Sequence, residues 1–186
     1  RIIDPANGVD RTGDLLLSDG KVACVDTRVA ETGARVIEAA GLIVCPGLID
    51  IHVHFREPGD ENEETIATGS EAAVAGGFTS VACMPNTNPA LDDEASIEFV
   101  YRHASRANLC NVYPIGAVTK GRQGKELAEM GQMDRAGAVG FSDDGCGIAC
   151  TGLMYRALQY VRMFDKPIMQ HAEDPDVTSG GVMNGG

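Results

Sequence analysis

Pro46-Gly47-Leu48-Ile49-Asp50-Ile51-His52-Val53-His54-Phe55-Arg56 is the stretch whose reading decides the fold. Side chains alternate across an extended strand, so Asp50, His52, His54 and Arg56 are expected on one face and Ile49, Ile51, Val53 and Phe55 on the other. The second face suits packing beneath helices. The first is ionisable, and two imidazoles two residues apart on one face can reach a single divalent cation. A lone H-x-H describes equally well two histidines hydrogen-bonded in a wall, so the flanking sequence must decide.

Towards the C-terminus, short apolar runs near 48–54, 79–84, 111–118, 138–142 and 167–171 alternate with stretches of helical period, Glu63 to Ala75, Asp92 to Ala107 and Thr151 to Phe164. That rhythm is βαβα and implies a parallel sheet in an α/β protein. A closed (β/α)8 TIM-type barrel takes eight strands and typically about 250 residues, so the five strands read here would be its first five βα units. An open doubly wound sheet is the competing architecture. No G-x-G-x-x-G follows the first strand, and the strand ends carry metal-type residues in place of phosphate-binding glycines, which favours the barrel. Towards the N-terminus, Asp14-Leu15-Leu16-Leu17, Lys21-Val22-Ala23-Cys24-Val25 and Arg35-Val36-Ile37-Glu38 are bounded by glycine turns and read as strands of a small β module. The expected division is therefore 1–45 for that module and 46–186 for the barrel part. About 45 residues without disulfide or metal are near the limit of an independent core, so the module is expected to pack on the barrel.

Two later strand ends extend the polar set. In Gly140-Phe141-Ser142-Asp143-Asp144-Gly145, Val139 and Phe141 are expected on the apolar face, and parity then turns Asp144 inward and leaves Asp143 to a turn or helix cap. Pro167-Ile168-Met169-Gln170-His171 places a further histidine at an equivalent height. Imidazoles and a carboxylate converging from several strand ends suit a divalent metal and metal-assisted hydrolysis. Arg56 offers a fork of donors to an anionic ligand, with an ordinary salt bridge as the alternative. Asn86 shares parity with Ser80, Ala82 and Met84 and can face the same mouth, or else it is a turn residue beside Pro85 and Pro89. His103 reads as solvated helix surface.

Composition narrows the partners. Fifteen Lys+Arg against 27 Asp+Glu give a net charge of −12 and a pI near 4.6, which disfavours nucleic acid and anionic membrane. With 44% hydrophobic and 23% charged residues the chain has the makings of a folded core. No apolar run reaches the roughly 18 residues of a membrane span, and no basic and apolar leader opens the chain. Six cysteines without C-x-x-C spacing read as buried, reduced thiols of a cytoplasmic protein, although Cys146 and Cys150 could pair or bind a metal. The chain opens on Arg1 and closes on Gly185-Gly186, and both ends are expected to continue.

Pro46 to Gly59 as a whole, with Glu57-Pro58-Gly59 after the arginine, resembles the dihydroorotase signature of the cyclic amidohydrolases. The resemblance continues through Gly77-Phe78-Thr79, Met84-Pro85-Asn86-Thr87-Asn88-Pro89, Phe141-Ser142-Asp143-Asp144-Gly145 and His171-Ala172-Glu173-Asp174. It implies a metallo-dependent hydrolase barrel with an N-terminal β-sandwich module completed by C-terminal strands. It also implies one or two Zn2+ ions, with His52 and His54 on one, Asp144 bridging both and His171 on the second. Arg56 and Asn86 would hold a substrate carboxylate, and the general acid/base aspartate and one more histidine would lie beyond Gly186. The implied reaction interconverts N-carbamoyl-L-aspartate and L-dihydroorotate in pyrimidine biosynthesis. The implied partners are that small molecule, a second copy in a homodimer and, in some relatives, aspartate transcarbamoylase. Hydantoinases and allantoinases place a carboxylated lysine at the fourth strand, but Lys120, Lys125 and Lys166 all lie away from that strand end, which points to the bacterial long-chain branch. The ending in Gly185-Gly186 departs from the Met-Asn-Glu-Gly of that family. The alternatives are a non-catalytic dihydroorotase-like scaffold for aspartate transcarbamoylase and another cyclic amidase, a hydantoinase or allantoinase.

Overall fold

The computed structural model describes residues 1–30, 33–178 and 181, which pack as two compact units, Arg1–Gly47 and Leu48–Gly186. In the first unit, β1 (Ile2–Asp4) and β2 (Val9–Arg11) pair antiparallel across a 3-10 turn at Pro5–Asn7. Asp4 caps that turn by accepting from the Ala6 and Asn7 amides. β3 (Asp14–Ser18) and β4 (Lys21–Asp26) form a hairpin whose two turn residues, Asp19 and Gly20, both have positive φ, as a two-residue turn between right-twisted strands requires. Arg35–Glu38 departs from its expected strand. It pairs with nothing among the described residues and leaves Val36 and Ile37 exposed, while the edge of β1 takes an isolated bridge to Val44. A run of four residues has no apolar face to bury until a partner strand is beside it.

In the second unit β5 (Leu48–Val53), β6 (Phe78–Cys83) and β7 (Asn111–Pro114) form a parallel sheet in that order. A parallel bridge from Gly116 to Phe141 links it to β8 (Phe141–Ser142), which pairs parallel with β9 (Ile168–Met169). Helices α1 (Ile66–Ala75), α2 (Glu94–Ala107), α3 (Met130–Arg135) and α4 (Thr151–Val161) lie between successive strands, and α5 (Pro175–Thr178) follows the last. Thr65 with Thr68 and Asp93 with Ser96 form reciprocal capping boxes that start α1 and α2, and Asn108 in the left-handed region ends α2. The helix side of the sheet carries the main core, including Phe55, Ile66, Val81, Cys83, Ile97 and Phe141. Ala82, Met84 and Ile115 form a smaller cluster on the opposite side. Among the described residues no helix is long and apolar enough to cross a membrane.

Strict alternation fails in β5. Asp50 pairs with Val81 and Val53 with Cys83, so three steps on β5 match two on β6 and the strand bulges between them. The extra residue inverts the faces. Asp50 therefore lies on the helix side, in a cavity of about 280 Å³ shared with Val53, Phe55, Phe78 and Val81, and its carboxylate accepts from the His52 amide at 3.0 Å. Ile49 and Ile51 stay exposed and do not join the core. The cysteines also depart from expectation: all six are free and Cys83 is buried, but Cys24, Cys45, Cys146 and Cys150 are exposed.

Candidate metal centre

β5 and β8 are separated in the strand order by β6 and β7. In a flat sheet three spacings of about 4.8 Å would hold them roughly 14 Å apart, and side chains standing off that sheet would not meet. His52 Nε2 nevertheless lies 3.2 Å from Asp144 Oδ1, and His54 Nδ1 lies 3.8 Å from Asp144 Oδ2. The parallel strands therefore curl, and the curl brings the end of the first strand to the end of the fourth. His52, His54 and Asp144 each offer one ligand atom, all within 4.8 Å of one another, and they are the one such group of three among the described residues.

The donor set fits a divalent cation. Two imidazoles and a carboxylate are borderline ligands of the kind zinc takes, and Asp144 is only 13% exposed while His52 is half open, so one side of the group remains accessible. His54 Nδ1 lies 2.9 Å from Asn86 Oδ1. With that oxygen as acceptor the proton sits on Nδ1, the nitrogen that faces Asp144, and the lone pair left for a cation is on Nε2; the contact is of the type that orients metal-bound histidines. Asn86 thus touches a candidate ligand directly.

The other expected site residues are placed differently. Arg56 Nε lies 3.5 Å from Glu63 Oε2, an ion pair whose acidic partner is largely exposed. His171 stands outside the group of three, with Nε2 3.0 Å from Glu173 Oε2, and that hydrogen bond holds the Glu173 carboxyl below its usual range. A Cβ added at Gly147 would lie 3.1 Å from the His171 carbonyl oxygen, so the loop after Asp144 runs directly against the His171 segment.

Asp143 lies away from the donor group, as alternation has it, whereas His103 is not the solvated surface residue its helix position suggested. Asp143 is buried and braces the turn after β7, accepting from the amides of Val118 at 2.8 Å and Thr119 at 3.0 Å and from the Thr119 hydroxyl. Burial pushes its carboxyl above the usual carboxylate range against those three donors. His103 is not solvated: its ring stacks on Phe99 and its Nδ1 meets the shielded Glu57 carboxylate, whose other oxygen accepts from the Ile66 amide. Glu57 stands in the signature stretch itself, but its partner lies on another helix and no local pattern links them.

The family model described as Dihydro-orotase-like matches residues 41–186. The dihydroorotase of Syntrophotalea carbinolica is 49% identical over 186 residues, covering 100% of this chain and 44% of its own length. That of Pelotomaculum thermopropionicum is 51% identical over 185 residues, again with 100% of this chain and 43% of its own length. The chain thus spans less than half the length of these curated relatives. Among solved structures, the L-hydantoinase (dihydropyrimidinase) of Arthrobacter aurescens superposes with a TM-score of 0.71 at 25% identity, over 90% of this chain and 40% of that one. That likeness makes the curled parallel sheet part of an amidohydrolase barrel. Because the family match runs through every strand that carries His52, His54 and Asp144, the chain belongs to the dihydro-orotase-like family.

Proposed function

We propose that the protein is a zinc-dependent cyclic amide hydrolase that interconverts N-carbamoyl-L-aspartate and L-dihydroorotate, and that this chain supplies the first metal-binding part of its site. The convergence of His52, His54 and Asp144 from β5 and β8 carries the reading. A divalent cation held there would supply Lewis-acid polarisation of the ring amide carbonyl. The chain's own residues do the rest: His52, His54 and Asp144 hold the cation, Asn86 sets the His54 tautomer, and His171 turns from Glu173 to hold a second ion. Arg56 exchanges the exposed Glu63 for the substrate carboxylate, an anion that a chain of net charge −12 would otherwise repel. In this reading five βα units of an eight-unit barrel lie in the chain, and residues 1–45 are half of a β-sandwich. The compartment is the cytoplasm, and the partner is a second copy or aspartate transcarbamoylase.

A hydantoinase reading is favoured by the Arthrobacter aurescens likeness. Against it, Lys120 is held by Glu126 at 2.8 Å and Lys166 lies 3.9 Å from Asp134, so neither offers itself as a bridging lysine beside Asp144. The test is hydrolysis of dihydroorotate and of hydantoin by the intact purified protein and its Arg56→Met variant. Dihydroorotate is expected to be preferred strongly, and loss of the charged fork to lower kcat/KM on it roughly 10- to 150-fold, about 1.5–3 kcal/mol. Equal kcat/KM on the two substrates, or an undiminished variant, would sink the proposal.

A further inference from the structure

We infer that Asp143 and Arg122 are positioning residues, a two-point clamp by which the turn after β7 fixes the backbone that carries Asp144. The inference rests on the metal-binding reading of Asp144 and goes beyond it, since neither residue belongs to the donor group. The first point is the buried Asp143 carboxylate. It takes the Val118 and Thr119 amides on Oδ1 and the Thr119 hydroxyl on Oδ2, and that hydroxyl oxygen accepts in turn from the Gly124 amide at 2.9 Å. Both carboxylate oxygens are therefore committed, so Asp143 cannot rotate towards the histidines in place of its neighbour.

The second point is Arg122. Its Nη2 donates to the main-chain carbonyl of Asp144 and reaches Cys146 Sγ at 3.5 Å, while its own amide bonds the Thr119 carbonyl at 2.9 Å. Arg122 sits at φ +57°, a left-handed conformation that costs energy for a residue with a Cβ, directly after Gly121 at φ +56°. The loop is thus held in an unfavourable shape that aims the guanidinium at the Asp144 carbonyl. The amide of Cys146 closes the other side onto the Asp143 carbonyl at 2.7 Å. Residue 144 is consequently gripped before, at and after its own peptide unit, and its carboxylate is directed to His52 and His54. Groups that orient metal ligands in this way are typically worth 10- to 100-fold in metal affinity.

The experiment measures zinc dissociation constants of the intact protein by competition with a chromophoric chelator, together with the visible spectrum of the Co2+-loaded form. Asp143→Ala is expected to weaken zinc binding roughly 10- to 100-fold, and Arg122→Gln about 10-fold. Asp143→Asn keeps the volume and an acceptor for the two amides, and is expected to recover most of the affinity. The Co2+ bands should shift in the two weakened variants, whereas mere loss of folded protein would lower their height and leave their positions alone. Should Asp143→Ala fail to fold, Arg122→Gln, whose side chain is only half-buried, decides alone. Variants that fold and bind zinc within about twofold of wild type, with unshifted Co2+ bands, overturn the clamp and leave the metal site standing. Wild-type protein that takes up no zinc overturns the metal reading and the clamp with it.

Discussion

His103 Nδ1 lies 2.7 Å from Glu57 Oε1, joining the middle of α2 to the loop that leaves β5 just past His52 and His54. The carboxylate is 12% exposed and its second oxygen holds the first amide of α1, so one side chain ties the loop to two helices. His103→Ala would strip Glu57 of its side-chain partner and remove the stacking on Phe99. The expected loss is about 1–3 kcal/mol in urea unfolding, the range for leaving a shielded polar group unpaired. A variant with an unchanged urea midpoint would show that the contact contributes nothing to the fold.

The bulge in β5 separates two aspartates that simple alternation treats alike. Asp144→Asn is expected to lower zinc content, measured by atomic emission, because it removes the carboxylate from the group. Asp50→Asn should leave zinc content unchanged, since Asp50 faces α1 and bonds the His52 amide. Loss of metal from the Asp50 variant would mean that the bulge does not invert the strand.

Gly59 is where the loop carrying Arg56 is pressed on the loop carrying Asn86. Its φ is +110°, a Cβ there would lie 2.7 Å from Asn88 Cβ, and the adjacent Pro58 carbonyl accepts from the Asn88 amide at 3.0 Å. Gly59→Ala is expected to cost about 1–3 kcal/mol from the backbone conformation alone, with the backbone clash added to it. Urea unfolding reads the loss. Wild-type stability would rule out the close approach.

Burial pushes the Cys83 thiol from its ordinary 9.0 up to about 12. The folded state therefore favours the protonated thiol. Its contribution to stability is complete below pH 9 and is lost as pH rises from there through about 12. In native protein at pH 8.5, alkylation followed by mass spectrometry should modify the exposed Cys146 and Cys150 and spare Cys83, which should react only after unfolding. Labelling of Cys83 at the rate of Cys146 would contradict its burial.

Much of the fold lay open in the sequence because it depends on local period. The alternation of apolar runs with helical stretches marks the five parallel strands and the helices α1, α2 and α4 between them. The residue types at the strand ends singled out His52, His54 and Asp144, the three side chains that meet. What stayed hidden depends on pairing. The β5 bulge is a mismatch of count with β6 and leaves no trace in the residues of β5 itself. Arg35–Glu38 has the composition of a strand but no partner among the described residues, and the engagements of Glu57 with His103 and of Asp143 with Thr119 join residues far apart in the chain. Alternation alone could say that Asp143 faces away from the histidines, but not that three donors wait for it there.

The curl that brings β5 to β8 also has a meaning for the unfolded chain. On the proposed metal-binding reading, a cation held by both His54 and Asp144 would join chain positions about 90 residues apart, with β6, β7 and three helices between them. Metal uptake and folding would then be one linked equilibrium, with the free concentration of the bound metal setting how much of the protein is folded.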